Sequence, residues 1–187
     1  YVVIGGWLPE FLRQHKRLTS AVKAFNAVYV ETSTMKKALE EQGLENVYVM
    51  PNCKRLAILD ESELVYSTCE PFGLCTFSRV MKEKGIGDAV DAVKTVNEKF
   101  GRTVYTLDIY GQVDSAQTEW FENLKQDFPE YIRYQGIAPY DRTTEILKNY
   151  YALLFPTHYF TEGIPGTIVY AFAGGLPVIS SKWASFD

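Results

Sequence analysis

Several things are missing from this 187-residue sequence, and each absence narrows what the protein can be. No apolar run approaches the roughly 20 residues that cross a bilayer. The opening Tyr1-Val2-Val3-Ile4 has neither the basic stretch nor the cleavage site of a secretory leader. Cysteine is scarce. Cys53, Cys69 and Cys75 are odd in number and lack metal-ligand spacing, so core or surface thiols are expected rather than a disulfide frame, which suits a reducing cytoplasm. Histidine is scarcer still, and His15 and His158 stand too far apart for a metal motif. Basic charge is in deficit: 19 Lys and Arg against 23 Asp and Glu leave a net charge of -4, with no electrostatic footprint for nucleic acid. There is no Gly-x-x-x-x-Gly-Lys-Ser/Thr, no Gly-x-Gly-x-x-Gly and no Gly-x-Ser-x-Gly, so an ATPase loop, a dinucleotide fingerprint and a nucleophile elbow are all unsupported. No Asp-x-Asp pair closes a strand, so nothing suggests a metal-held diphosphate. No repeat of fixed period and no low-complexity segment occurs.

What is present is ordinary for a globular protein: 47% apolar and 22% charged residues. The length allows one large domain, or one domain plus part of another. The chain opens without methionine on an apolar strand and stops a few residues past another, so a fragment of a longer protein is expected.

The periodicities alternate between strand and helix. Val2 to Ile4 reads as a strand ending at Gly5-Gly6. A single amphipathic helix is predicted from Leu8, Phe11, Leu12, His15, Leu18, Val22 and Phe25, with His15 packed on its apolar face. Strands at Ala27–Val30 and Val47–Met50 flank a helix capped by Ser33 or Thr34. Residues 54–70 read as a linker, with a short strand at Leu64-Val65-Tyr66, and Pro71-Phe72-Gly73 as a turn. A second series follows: a strand at Leu74–Ser78, then a helix whose inner face is Ile86, Ala89, Val90, Val93, Val96 and Phe100. Next come a strand at Thr103–Tyr110, a helix at Ala116–Gln126 and a strand at Tyr131–Tyr134. A helix from Asp141 or Arg142 to Tyr150 and a strand at Tyr151–Pro156 lead to a helix at Thr167–Ala173 and a strand at Leu176–Ser181. Helix-rich connections call for parallel sheets, so the expected class is α/β, Rossmann-like, with helices on both faces.

The chemistry gathers after the strands, where open α/β sheets bind their ligands. Arg79 and Lys84 follow the Leu74 strand, Gly111 follows the Thr103 strand, and Glu162-Gly163-Ile164-Pro165-Gly166-Thr167 follows the Tyr151 strand. Two cations and a helix start can neutralise a diphosphate, through an Arg fork, a Lys point charge and free backbone N–H groups. The same loop reads equally as a solvated basic turn, since Lys82 and Glu83 sit in it. Glu162 reads either as a group holding a sugar hydroxyl or as an acid complementing the helix dipole. Gly163 reads as a position where a ligand can approach the backbone closely. His158, among Tyr159 and Phe160, reads as a pocket lip or as a surface histidine.

Taken in order, Pro51-Asn52, Phe77-Ser78-Arg79-Val80-x-x-x-Lys84-Gly85, Tyr110-Gly111, Gly136, Phe155-Pro156-Thr157, Glu162-Gly163-Ile164-Pro165 and Ala171-Phe172-Ala173-Gly174-Gly175-Leu176-Pro177-Val178-Ile179 form a set. This set resembles the retaining GT-B glycosyltransferases of family 4 (glycosyl transferases group 1), from about Val28 to Ser181. The resemblance implies two Rossmann-like domains, with residues 1–55 the end of the acceptor domain and 56–187 an incomplete donor domain. It implies transfer of a sugar from a UDP- or GDP-linked donor to a hydroxyl of a glycan, lipid or small acceptor, with retention and without a metal or other cofactor. Arg79 and Lys84 would hold the diphosphate, and Glu162 would contact the donor sugar. The amides of Gly163, Ile164, Pro165, Gly166 and Thr167 would serve sugar and phosphates, as far as each carries an N–H. Backbone at Gly136 and Ile137 would face the base. The family carries an acid eight residues after the Glu to bind the ribose hydroxyls, and here that position is Tyr170. A phenol cannot grip two hydroxyls as a carboxylate does, so a lower donor affinity or a different hold on the nucleotide is expected. Other implications are a cytoplasmic enzyme of glycan or polysaccharide synthesis, with peripheral contact at the inner membrane face through the part beyond this chain, and inactivity of this segment alone. Two other readings stand beside it: a non-catalytic nucleotide- or carbohydrate-binding module, and a sugar-nucleotide epimerase.

Overall fold

The computed structural model describes residues 2–4, 7–53, 56–64, 66–159 and 162–183. These fall into two compact units. The first holds residues 2–4, 7–53, 162–166 and 183; the second holds 56–64, 66–159 and 167–182. Gly5, Gly6, Val65, Phe160 and Thr161, to which the sequence assigns turns, a strand and a loop, lie outside the described residues, as does Tyr1.

In the first unit, β1 (Val2–Ile4), β2 (Val28–Val30) and β3 (Val47–Val49) form a parallel sheet in that order. Parallel neighbours need crossover connections, and helices supply them. They are α1 (Leu8–Gln14) with α2 (Lys16–Lys23), and α3 (Ser33–Glu40). The single helix predicted over residues 8–25 is two, because His15 leaves helical geometry at φ -122°, ψ 56°. Leu8 and Leu12 bury against Val28, Val30, Met35 and Leu39. Beyond the break only part of the predicted apolar row stays on that face: Val22 packs against the core, but Leu18 and Phe25 are exposed, and so is His15, whose ring lies 4.5 Å from that of Phe11. His15 is therefore a surface residue and not a packed one. The cap of α3 is Thr32, one residue earlier than predicted; its extended backbone lets its hydroxyl accept from the Met35 N–H at 3.1 Å.

The second unit is a five-stranded parallel sheet. Its strands are β4 (Phe72–Phe77), β5 (Tyr105–Tyr110), β6 (Ile132–Gly136), β7 (Ala152–Phe155) and β8 (Val178–Ser180), in the order β6-β5-β4-β7-β8. The connecting helices are α4 (Ile86–Phe100), α5 (Thr118–Gln126), α6 (Thr143–Leu147) and α7 (Gly166–Ala173). Phe72 and Gly73 open β4 rather than making a turn: they pair with Tyr105 and Thr106, and that ladder overrides the local turn preference. Leu64 and Tyr66 lie in no strand.

Successive strand residues face opposite ways, so the sheet has two faces. Leu74, Leu107, Ile109, Ile132 and Ala152 pack with Ile86, Ala89, Val90 and Val93 of α4 and Phe121 of α5. Cys75 and Leu153 pack on the other side with Leu147, Tyr170, Ala171 and Leu176. On α4 the inward position beyond Val93 is Asn97, four residues on, and Phe100 is 56% exposed, against the predicted apolar face. The buried Asn97 side chain has a backbone role. Its oxygen accepts from the Val104 and Tyr105 N–H groups at 2.8 and 3.0 Å, and its amide donates to the Tyr105 carbonyl at 2.8 Å.

Candidate functional site

The strand order of the second unit reverses between β4 and β7, and the ends of these strands are where an open α/β sheet offers a crevice. The tips are bonded into one rim. Ser78 N–H donates to the Tyr110 carbonyl at 3.2 Å, and Gly111 N–H to the Gly136 carbonyl at 2.8 Å. The Tyr134 hydroxyl reaches the Gly111 carbonyl at 2.8 Å. Gly111 is a glycine for packing: a Cβ there would lie 1.7 Å from the Ser78 carbonyl oxygen. The Thr167 hydroxyl donates to the Phe77 carbonyl, which fixes the first turn of α7 at the end of β4. Arg79, Gly136 and Thr167 are thus brought to one end of one sheet.

Arg79 is exposed, its guanidinium 3.8 Å from Asp114. At that exposure the ion pair contributes little to stability and leaves the guanidinium able to turn toward a ligand. Lys84 ends a short 3-10 turn, Lys82–Lys84, and its ammonium lies over the Tyr159 and Phe155 rings, 5.0 and 5.8 Å from their centroids. That places the second cation at the β7 side of the reversal. His158 is an exposed residue beside it. Its backbone N–H donates to the Glu83 carbonyl at 2.8 Å and its ring pairs with Asp88, so of its two readings the structure takes the surface one. The hydrogen bond from Gln117 holds the Glu83 carboxyl below its usual range. Ile137 is 69% exposed, next to Gly136 at the end of β6.

Tyr170 lies on the inward side of α7, 7% exposed, with its ring edge-on to Tyr140 at 6.2 Å between centroids. Together with Tyr140, Thr143, Thr144 and residues 56–59 it lines a cavity of about 310 Å³.

Glu162, Gly163, Ile164, Pro165 and Gly166 belong to the first unit, and Arg79, Lys84, Gly136, Ile137, Thr167 and Tyr170 to the second. Within the first unit the turn is held by two residues that sequence reasoning does not assign to it. Glu31, directly after β2, accepts from the Ile164 N–H at 3.1 Å. The Asn52 amide, beyond β3, donates to the Ile164 carbonyl at 2.9 Å. The space beside Gly163, expected to admit a ligand, is filled by protein, since a Cβ at Gly163 would lie 1.9 Å from the Glu31 Oε2. Glu162 is buried, at 8% exposure. Nothing local in the sequence marks Glu31, because its partner is 133 residues away.

Other sites are absent among the described residues: no group of three or more His, Cys, Asp or Glu could hold a metal ion, and no helix is long and apolar enough to cross a membrane.

Known proteins agree with this architecture. Residues 71–186 match the family model "Glycosyl transferases group 1". The amylovoran biosynthesis glycosyltransferase AmsK of Erwinia amylovora is 26% identical over 117 residues, which is 60% of this chain and 28% of AmsK. Among solved structures, the pneumococcal O-GlcNAc transferase GtfA in complex with UDP and GlcNAc is similar at TM-score 0.69 and 25% identity, over 91% of this chain and 33% of GtfA. TarM aligns at TM-score 0.76 and 16% identity, over 97% of this chain and 36% of its own. The chain therefore spans about a third or less of these relatives. The matched residues contain β4 to β8 and the whole rim described above, and on that ground the chain belongs to the group 1 glycosyl transferases, with the GT-B fold.

Proposed function

We propose that the protein containing this chain transfers a sugar from a nucleotide diphosphate donor to a hydroxyl acceptor, with retention at the anomeric carbon, as a member of family 4. Residues 1–55 act as the end of the acceptor domain and 56–187 as donor domain, although by their contacts residues 162–166 and 183 group with the first compact unit. The observation that carries the reading is the rim itself: the tips of β4, β5 and β6 and the first turn of α7 are bonded together at the end of the sheet, with Arg79 directly beyond β4 and the Lys84 ammonium over Phe155 at the end of β7. In an oxocarbenium-like transition state, negative charge builds on the departing diphosphate. Arg79, Lys84 and the N-terminal amides of α7 meet that charge without a metal. Glu162 contacts the donor sugar, and Gly136 and Ile137 present backbone to the base. GtfA, solved with UDP and GlcNAc, supports a uridine diphosphate sugar as the first donor to test, with GDP-sugars second. The acceptor is a hydroxyl of a glycan, lipid or small molecule, and AmsK supports a place in polysaccharide synthesis.

The test is a donor panel on the full-length protein, with product read by mass spectrometry, followed by Arg79→Ala. Losing one charge-assisted contact to the diphosphate should weaken donor binding by about 1.5–3 kcal/mol. Unchanged donor affinity and turnover in Arg79→Ala overturns the role of Arg79. A second reading, a binding module without turnover, draws on Tyr170, which stands where the family places the ribose-binding acid and is buried against Tyr140. Nucleotide-sugar binding with no transfer or hydrolysis by the full-length protein favours it. Tighter nucleotide binding by Tyr170→Glu supports a ribose contact at that position.

A further inference from the structure

Resting on the transferase reading for its catalytic consequence, we infer that Glu31 and Asn52 are positioning residues that clamp the backbone of Ile164 and thereby set the turn carrying Glu162. Both polar groups of the Ile164 backbone are taken: its N–H by the Glu31 carboxylate at 3.1 Å and its carbonyl by the Asn52 amide at 2.9 Å. Glu31 stands directly after β2 and Asn52 three residues beyond β3; the two strands are hydrogen-bonded neighbours, and the Met50 N–H extends their pairing to the Val30 carbonyl, so both side chains leave the same end of one sheet. The carboxylate also lies against Gly163, where a Cβ would come within 1.9 Å of Oε2 and 3.0 Å of its carboxyl carbon. The backbone of Gly163 is not left-handed, so alanine is admissible there on dihedral grounds. A side chain at 163 would therefore displace the end of the Glu31 side chain, and with it the bond to Ile164. A charge-assisted bond from an N–H to a carboxylate is about twice as strong as a neutral one, which suits a fastener that must hold a turn still. A sugar-binding acid that moves by about an ångström loses its geometry for the transition state, whereas the first turn of α7 has its own anchor, the Thr167 hydroxyl on the Phe77 carbonyl, so the clamp acts on the sugar more than on the nucleotide.

The test uses the full-length protein with Glu31→Ala, Glu31→Gln, Gly163→Ala and the Glu31→Ala/Gly163→Ala pair. In amide hydrogen exchange without ligand, Glu31→Ala should speed exchange at Ile164 by about tenfold, the effect of a lost bond worth some 1.4 kcal/mol. Glu31→Gln keeps an acceptor oxygen and should hold exchange within about threefold of wild type. Gly163→Ala should speed exchange when Glu31 is intact and add nothing once Glu31 has been replaced by alanine. With a donor, Glu31→Ala should lower kcat about tenfold or more while the affinity for the nucleotide diphosphate alone stays within about twofold. Equal cost of Gly163→Ala with and without the Glu31 carboxylate, or unchanged exchange in Glu31→Ala, overturns the clamp. Lost affinity for the bare nucleotide overturns its sugar-specific role. A full-length wild type that binds no nucleotide sugar overturns the transferase reading instead, and the exchange cycle then decides the clamp by itself.

Discussion

The two faces of the five-stranded sheet are built by different rules. On the side of α4 and α5 the core is apolar, with Leu74, Leu107, Ile109, Ile132 and Ala152 under Val90, Val93 and Phe121. On the side of α6 and α7 the central strands carry Cys75 and Asp108, which pair across β4 and β5. The Asp108 carboxylate accepts from the Tyr150 hydroxyl at 2.7 Å and from the Gln135 amide at 2.9 Å, and the Tyr110 and Tyr150 hydroxyls lie 2.8 Å apart. One face is held by shape and burial alone; the other adds, to a smaller apolar core of Leu147, Leu153, Ala171 and Leu176, a chain of hydrogen bonds whose members lose most when one is removed. Burial pushes the Tyr150 phenol far above its usual value, and the hydrogen bonds with Tyr110 and Asp108 add to this; burial likewise raises the Cys75 thiol, with Asp108 contributing. The polar face is thus locked in its protonated phenol and thiol forms.

Three substitutions would break or sharpen this contrast. Phe121 is fully buried on the apolar face, so Phe121→Ala should cost about 3–5 kcal/mol, read as a lower denaturation midpoint at unchanged slope. A cost below about 1 kcal/mol would mean that this face tolerates voids and that the contrast is wrong. On the polar face, Tyr150→Phe removes the hydroxyl that joins Tyr110 to Asp108, and a loss of about 1–3 kcal/mol is expected. Its signature is in the pH dependence. The folded state keeps the Tyr150 proton at pH values where the unfolded chain, with a phenol near 10.0, releases it. The contribution of Tyr150 to stability should therefore be full below about pH 10 and be lost as pH rises beyond it, and Tyr150→Phe should flatten that part of the fall. An equally steep fall in the variant would remove Tyr150 from the network. The smallest effect is expected at Thr76, whose buried hydroxyl on the apolar side finds no hydrogen-bond partner among the described residues. Thr76→Val should be neutral or stabilising by up to about 1 kcal/mol in the same unfolding experiment. Destabilisation by more than that would reveal a partner for the hydroxyl.

The same contrast explains what can be read from the sequence. The apolar face announces itself through the spacing of Ile86, Ala89, Val90 and Val93 and through the β-rich run at β5, because burial imposes a period on the chain. Asn97 and Phe100 escape that reading for the complementary reason. An asparagine that serves backbone groups of the next strand breaks no period by itself, and an exposed phenylalanine looks like a buried one. Thr32 hides as a cap because three hydroxyl residues stand in a row and only backbone geometry selects among them. At the candidate site, Arg79, Lys84 and the 162–167 turn are legible as residue types after strands. Glu31 is not, since its meaning depends on a turn far along the chain. Gly163 is legible as a glycine with a purpose, but the purpose, room for a carboxylate of the same protein, exists only in three dimensions.

The Ser78 carbonyl sits where Gly111 would carry a side chain, so β4 and β5 end in a joint with no tolerance for added atoms. Any residue larger than glycine at position 111 has to pry the two strand ends apart, so at this point the rim can present only main chain.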